Sequence, residues 1–115
     1  MPWEVLLHPE VERFVLDLND TAYDLVSARI DLLVEHGPQL GRPSVDRLSG
    51  GSVHNLKELR ADTVRILFVF DPERRACLLV GGDKAGSWNA WYPPAIALAE
   101  KRYSEWLASG RMSDD

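Results

Sequence analysis

The stretch "TVRILFVFDPERRACLLVGG" (63–82) limits the fold more than any other part of the chain. Val64, Ile66, Phe68 and Phe70 alternate with Arg65, Leu67 and Val69, the two-residue period of a β-strand. "DPERR" supplies a proline-containing turn, and "ACLLVGG" is apolar throughout, a strand of the central type. Upstream, "VHNLKELR" (53–60) reads as a third strand. It is the least regular, because Leu56 and Leu59 differ in parity; a bulge or an edge position would explain that. The short turn "ADT" joins it to the central strand, so a three-strand antiparallel meander is expected over 53–82.

The rest of the chain alternates at helical spacing. "WEVLL" reads as a short strand closed by "HP", after which Val11, Phe14, Val15 and Leu18 share one helical face. Thr21 with Asp24 three residues on resembles a capping box for a second helix burying Ala22, Leu25, Val26, Ile30 and Leu33. "HGP" ends that helix, and "QLGRPSVDRLSGG" (39–51) reads as loop. "PPAIALAEKRYSEWLASG" opens on prolines and continues as a helix with Ile96, Ala99, Tyr103, Trp106 and Leu107 as its buried stripe. Residues 110–115 read as a frayed tail. Helices, then strands, then a helix argue an α+β fold, with helices packed on one face of an antiparallel sheet. At 115 residues, a single domain over 1–115 is expected.

Charge and cysteine content narrow the class. The net charge is −5, yet residues 1–36 carry eight acids and two bases, whereas residues 54–92 carry six bases and five acids. A local basic site fits this distribution; a broad basic face does not. The single cysteine, Cys77, lies inside an apolar strand and reads as core. With no apolar run near the roughly 20 residues of a membrane span, and no basic, apolar leader, a cytoplasmic location away from membranes is expected.

One segment resists explanation as packing. In "GGDKAGSWNAWYPP" (81–94), Lys84, Trp88, Trp91 and Tyr92 crowd an irregular stretch after the last strand. Arg60 and Arg65 flank the "ADT" turn, and Lys57 lies nearby on the preceding strand. Arg and Lys gathered at one end of a sheet suit a phosphate-bearing ligand, and aromatic faces suit unpaired bases. The plainer alternative is that the bases line a solvated face and the tryptophans cover the sheet's end. His54, near Lys57, joins the candidates; His8 and His36 read as surface or helix-end residues. No spacing resembles a metal site, a phosphate-binding glycine loop or a nucleophile elbow.

The motifs "GPQLGRPSVDRLSG", "HNLKELR", "RILFVFDPERRACLLVGGDKAG" and "WY…AEKRY" occur in order over about residues 3–107. In this, the chain resembles the HigB-type branch of the RelE/ParE superfamily of bacterial toxins. The resemblance implies a small α+β fold with two N-terminal helices on a twisted antiparallel sheet. It also implies an endoribonuclease that cuts mRNA in the ribosomal A site without metal or cofactor, by attack of a ribose 2′-hydroxyl on the adjacent phosphate. Carried over to this sequence, Arg65 would bind the scissile phosphate, Lys84 would stabilise developing charge and Tyr92 would act as acid or base. Lys57 and Arg60 would contribute basic groups, and His54, Trp88 and Trp91 would contact RNA. RelE-like members place two lysines where this chain has Leu56 and Glu58. Either Lys57 substitutes through a shifted register, or Glu58 transfers the proton.

The implied partners are the ribosome with its mRNA and a helix-turn-helix antitoxin of the HigA kind, through which alone operator DNA is reached. The antitoxin would bind as an added strand or as a helix lying across the sheet. A ParE-like gyrase inhibitor without nuclease activity and a non-toxic antitoxin-binding relative are the alternative readings.

Overall fold

In the computed structural model, which describes residues 2–48 and 55–110, a five-stranded sheet forms the middle layer. The strands are β1 (Glu4–Leu7), β2 (Val45–Arg47), β3 (Lys57–Ala61), β4 (Val64–Phe70) and β5 (Arg75–Asp83), in the spatial order β1-β5-β4-β3-β2. The meander β3-β4-β5 matches the alternation in sequence. The N-terminal strand instead pairs parallel with β5, so the sheet is mixed rather than wholly antiparallel. Residues 39–51, expected as loop, contribute β2, an edge strand antiparallel to β3. That strand removes the need for an edge or bulge in β3, whose register with β4 is regular. The bulge lies between β4 and β5, where Leu67 faces Val80 and Phe68 faces Leu78. It turns Leu79 and Val80 to the same side of the sheet, and both join one core cluster.

The helices are α1 (Pro9–Leu16), α2 (Asp20–His36) and α3 (Tyr92–Ser109). The cap of α2 is Asn19, whose side chain accepts from the Ala22 amide at 2.9 Å, rather than the expected Thr21. Gly37 closes the helix in a left-handed conformation at φ 57°, and Pro38 follows it. Two cores result. Val11, Val15, Val26 and Leu33 pack with Leu59, Ile66, Phe68 and Leu78 on one face. On the other, Ala95, Ala99 and Trp106 of α3 cover Leu67, Val69, Cys77 and Leu79.

The expectation of all helices on one face is thereby corrected. Apolar residues of both parities in β4 and β5 demand cover on both faces, and α3 supplies the second. Leu107, expected in the buried stripe of α3, is 59% exposed. No helix among the described residues is long and apolar enough to cross a membrane.

Candidate active site

The face covered by α3 ends in a polar cluster. Glu58 and Arg60 are two residues apart on β3 and therefore share a face, the one on which Leu67 packs opposite Glu58. Arg60 and Arg65 stand directly opposite each other across the β3–β4 hairpin, as the turn "ADT" implies. Beyond β5, Lys84 sits in a turn, with its amide on the Thr63 carbonyl at 3.1 Å. A short 3₁₀ turn (Trp88–Trp91) then delivers Tyr92 as the first residue of α3.

Glu58 is the hub. It is 2% exposed, and its Oε1 accepts from the Tyr92 hydroxyl at 2.6 Å. Its Oε2 accepts from Arg60 Nε at 3.0 Å, and the ion pair brings Arg60 Nη2 to 2.8 Å from the same oxygen. The Nε of Arg65 lies 3.5 Å from Oε1 and makes no hydrogen bond. The Arg65 Nη1 donates instead to the carbonyls of Asp62 and Val64, which ties this buried guanidinium to the hairpin turn. Arg60 also bonds Asp46 Oδ2 at 3.1 Å, and Arg42 bonds the same oxygen at 2.9 Å. Lys84 Nζ stands 3.4 Å from the Tyr92 hydroxyl and about over the rings of Trp88 and Tyr92, with centroids at 5.2 and 5.3 Å.

The electrostatics follow from this crowding. Burial lowers the pKa of Lys84 below the ordinary lysine value, and the nearby charge of Arg65 lowers it further against the pull of Glu58. Burial raises the pKa of Tyr92, and its hydrogen bond to Glu58 adds to the rise. Lysine is thus made the better proton donor, while the phenol holds its proton. Among the described residues, Lys84 forms no ion pair, so its charge remains available to an anion.

The aromatic residues divide. Trp91 packs into the site's foundation: its indole lies against Gly82, where a Cβ would come within 2.5 Å of Nε1, and it meets Tyr92 edge-on at 5.2 Å. Trp88 is 60% exposed, with its backbone in the left-handed region at φ 43°. A bulky residue held in that conformation carries backbone strain, and its indole presents a flat face beside Lys84.

The structure therefore brings together Arg60, Arg65, Lys84, Tyr92, Trp88 and Trp91, but not Lys57. Lys57 faces the opposite side of the sheet, over the Phe70 ring at 5.1 Å. The register of β3 is unshifted, so it is Glu58 that shares the site face with Arg60. His54 lies outside the described residues. Asp46 and Arg42, within the segment expected as loop, join the cluster unannounced. The alternation Glu58–Arg60 was the available signal for the hub; nothing local pointed to Asp46.

The chain is similar to known proteins along most of its length. The family described as "Phage derived protein Gp49-like (DUF891)" matches residues 13–104. Two Mycobacterium tuberculosis (strain ATCC 25618 / H37Rv) proteins named "Putative toxin HigB3" and "Putative toxin HigB2" are similar in sequence. The first is 51% identical over 107 residues, covering 91% of this chain and 94% of the relative. The second is 45% identical over 107 residues and covers 86% of this chain, which spans only 53% of that relative. Among solved structures, the archaeal RelE–RelB complex from Pyrococcus horikoshii OT3 contains a chain of similar fold. It superposes with a TM-score of 0.61 at 20% identity, covering 73% of this chain and 97% of that one.

Proposed function

The chain belongs to the Gp49-like family and to the HigB-type branch of the RelE superfamily, and from that premise we propose that it is the toxin of a type II toxin–antitoxin pair and cuts mRNA on the ribosome. The observation that carries the reading is the joined arrangement of Lys84, Tyr92, Glu58 and Arg60 beside an exposed tryptophan.

Cleavage of RNA by its own 2′-hydroxyl needs a proton acceptor, a stabiliser for phosphorane charge and a proton donor for the leaving oxygen. Tyr92 and Glu58 form a relay for the first task. As the 2′-oxygen bonds to phosphorus, its proton passes to the Tyr92 oxygen while the phenolic proton passes to Glu58. Lys84 gives a proton to the departing 5′-oxygen as the P–O5′ bond breaks, leaving a 2′,3′-cyclic phosphate and a 5′-hydroxyl. Its lowered pKa suits that donation. Arg60, a third exposed, contacts the phosphate, and Arg65 orients Glu58 from beneath. Trp88 stacks on a codon base.

The partner is an antitoxin encoded with the toxin, a role supported by the RelE–RelB pairing of the structural relative. The workplace is the cytoplasm, where ribosomes translate.

The test is mRNA cleavage in a purified translation system, mapped by primer extension with and without ribosomes. Cuts inside codons that require ribosomes are expected, reduced about 100-fold or more in Lys84→Ala and Tyr92→Phe. Intact mRNA together with growth arrest and inhibited gyrase would replace this reading with the ParE-like one.

A further inference from the structure

Three like-charged pairs face each other across β2, β3 and β4. Asp46 opposes Glu58, Arg60 opposes Arg65, and Arg47 opposes Lys57. Like charges in direct cross-strand register are destabilising. The first two pairs neutralise one another on the α3 face: Arg60 bonds both Asp46 and Glu58, and Arg65 lies beside Glu58. The third pair has no such relief. It sits on the opposite face, and neither Arg47 nor Lys57 forms an ion pair among the described residues.

Their surroundings are shaped as a receptacle. Arg47, Asn55, Lys57, Phe70 and Pro38 line a cavity of about 290 Å³, and none of these described residues is a carboxylate. Asn55, at φ 64°, accepts from Arg47 Nη2 through Oδ1 at 3.2 Å and so leaves its amide NH₂ as a further donor. Lys57 lies over the Phe70 ring, which fixes its ammonium at the cavity wall. Burial lowers its pKa, and the adjacent Arg47 lowers it further. A protein of net charge −5 has no shortage of acids to place here. Two aligned cations and an amide without a counter-ion describe a site whose anion comes from outside.

We infer that Arg47, Lys57 and Asn55 form a second anion site, on the sheet face opposite the candidate active site, that holds a phosphate of an RNA backbone. A phosphodiester presents two charged oxygens to two adjacent cations, and an Arg fork with a Lys point charge is a common phosphate-binding pair. That the phosphate belongs to RNA rests on the proposed endonuclease function; the anion site itself does not.

Thermal unfolding of the purified chain in inorganic phosphate, against chloride at equal ionic strength, tests the site. Phosphate is expected to raise the Tm of the wild type. Lys57→Met and Arg47→Gln should each remove part of that response, and both should be at least as stable as the wild type without phosphate, because the repulsion is gone. Lys84→Met should leave the Lys57-dependent part of the response in place, which separates this site from the active site. An equal phosphate response in Lys57→Met and wild type would overturn the assignment. A non-cleavable 2′-O-methyl oligoribonucleotide should then bind about tenfold more weakly to Lys57→Met, the loss of one charge-assisted contact. Unchanged oligonucleotide affinity, with an acidic peptide binding in a Lys57-dependent way, would instead assign the site to a protein carboxylate and overturn the RNA proposal.

Discussion

At the scale of single residues, the site turns on a carboxylate buried among cations. Glu58 holds Tyr92, Arg60 and, through space, Arg65, so its charge is structural as well as chemical. Glu58→Gln keeps the shape but leaves Arg60 paired with Asp46 alone and takes from Arg65 the carboxylate beside it. A loss of about 1–3 kcal/mol is expected, read by urea unfolding. Tyr92→Phe removes the hydrogen bond to Glu58 and the longer one from Lys84, and should lose about 1–2 kcal/mol. Stability unchanged in Glu58→Gln would mean that the cations do not lean on this carboxylate. Lys84 gives a second prediction. Its pKa is depressed by burial and by Arg65, so its ammonium should deprotonate at a pH below the ordinary lysine value of about 10.4. Followed through its side-chain carbon shift by NMR, the midpoint should lie below that value, and in Glu58→Gln it should fall further, because Glu58 pulls it upward. Rising pH therefore removes the charge that the proposed donor needs, while Tyr92, raised, stays protonated. A Lys84 midpoint at or above the ordinary value would remove the argument for it as the acid.

At the scale of elements, β5 and α3 fix the site between them. Gly82 lets the Trp91 indole lie flat on the end of β5, and Tyr92 follows directly in sequence. Gly82→Ala would force the indole away by the width of a methyl group, since the added Cβ would approach within 2.5 Å. A stability loss of about 1–3 kcal/mol is expected, with changed Trp fluorescence and impaired cleavage, although the new methyl touches no reacting group. Unchanged fluorescence and activity would show that Trp91 does not position Tyr92. This junction was half legible in the sequence. The alternation in β4, the turns and the proline-led start of α3 were readable, because they are local and periodic. So was the sharing of one face by Glu58 and Arg60, and with it the separation of Lys57. The hydrogen bond from Tyr92 to Glu58 joins residues 34 apart, and no local pattern encodes it. The parallel pairing of β1 with β5 and the placing of α3 on the second face were hidden for the same reason: the first is decided by which edge remains unpaired, and the second by which apolar face remains uncovered, once the sheet has formed. The strand β2 is three residues long, too short for a period to be seen.

At the scale of the whole molecule, the issue is how a chain of net charge −5 engages RNA. The acids concentrate in residues 1–36, which hold eight of them against two bases, and α1 and α2 occupy the face away from the candidate active site. The acids of α1 and α2 thus lie behind the sheet, on the face that also carries Arg47 and Lys57, and RNA approaching the α3 face meets Arg60 and Lys84. Few cations are free to contact phosphate, because Arg65 is tied to the hairpin turn and Arg60 shares itself with Glu58 and Asp46. Salt dependence measures this directly. For single strands, log K falls with log salt at a slope of about −0.7 for each phosphate neutralised. Two or three contacts therefore predict a slope of about −1.4 to −2.1 for a non-cleavable oligoribonucleotide, measured by fluorescence anisotropy. Replacing Lys84 by Met should flatten the slope by about 0.7, whereas neutralising an exposed cation elsewhere, such as Lys101, should leave it unchanged. A slope near −4 would require about six phosphate contacts, a broad basic surface that this charge distribution does not contain, and would mean that the RNA path lies elsewhere on the molecule.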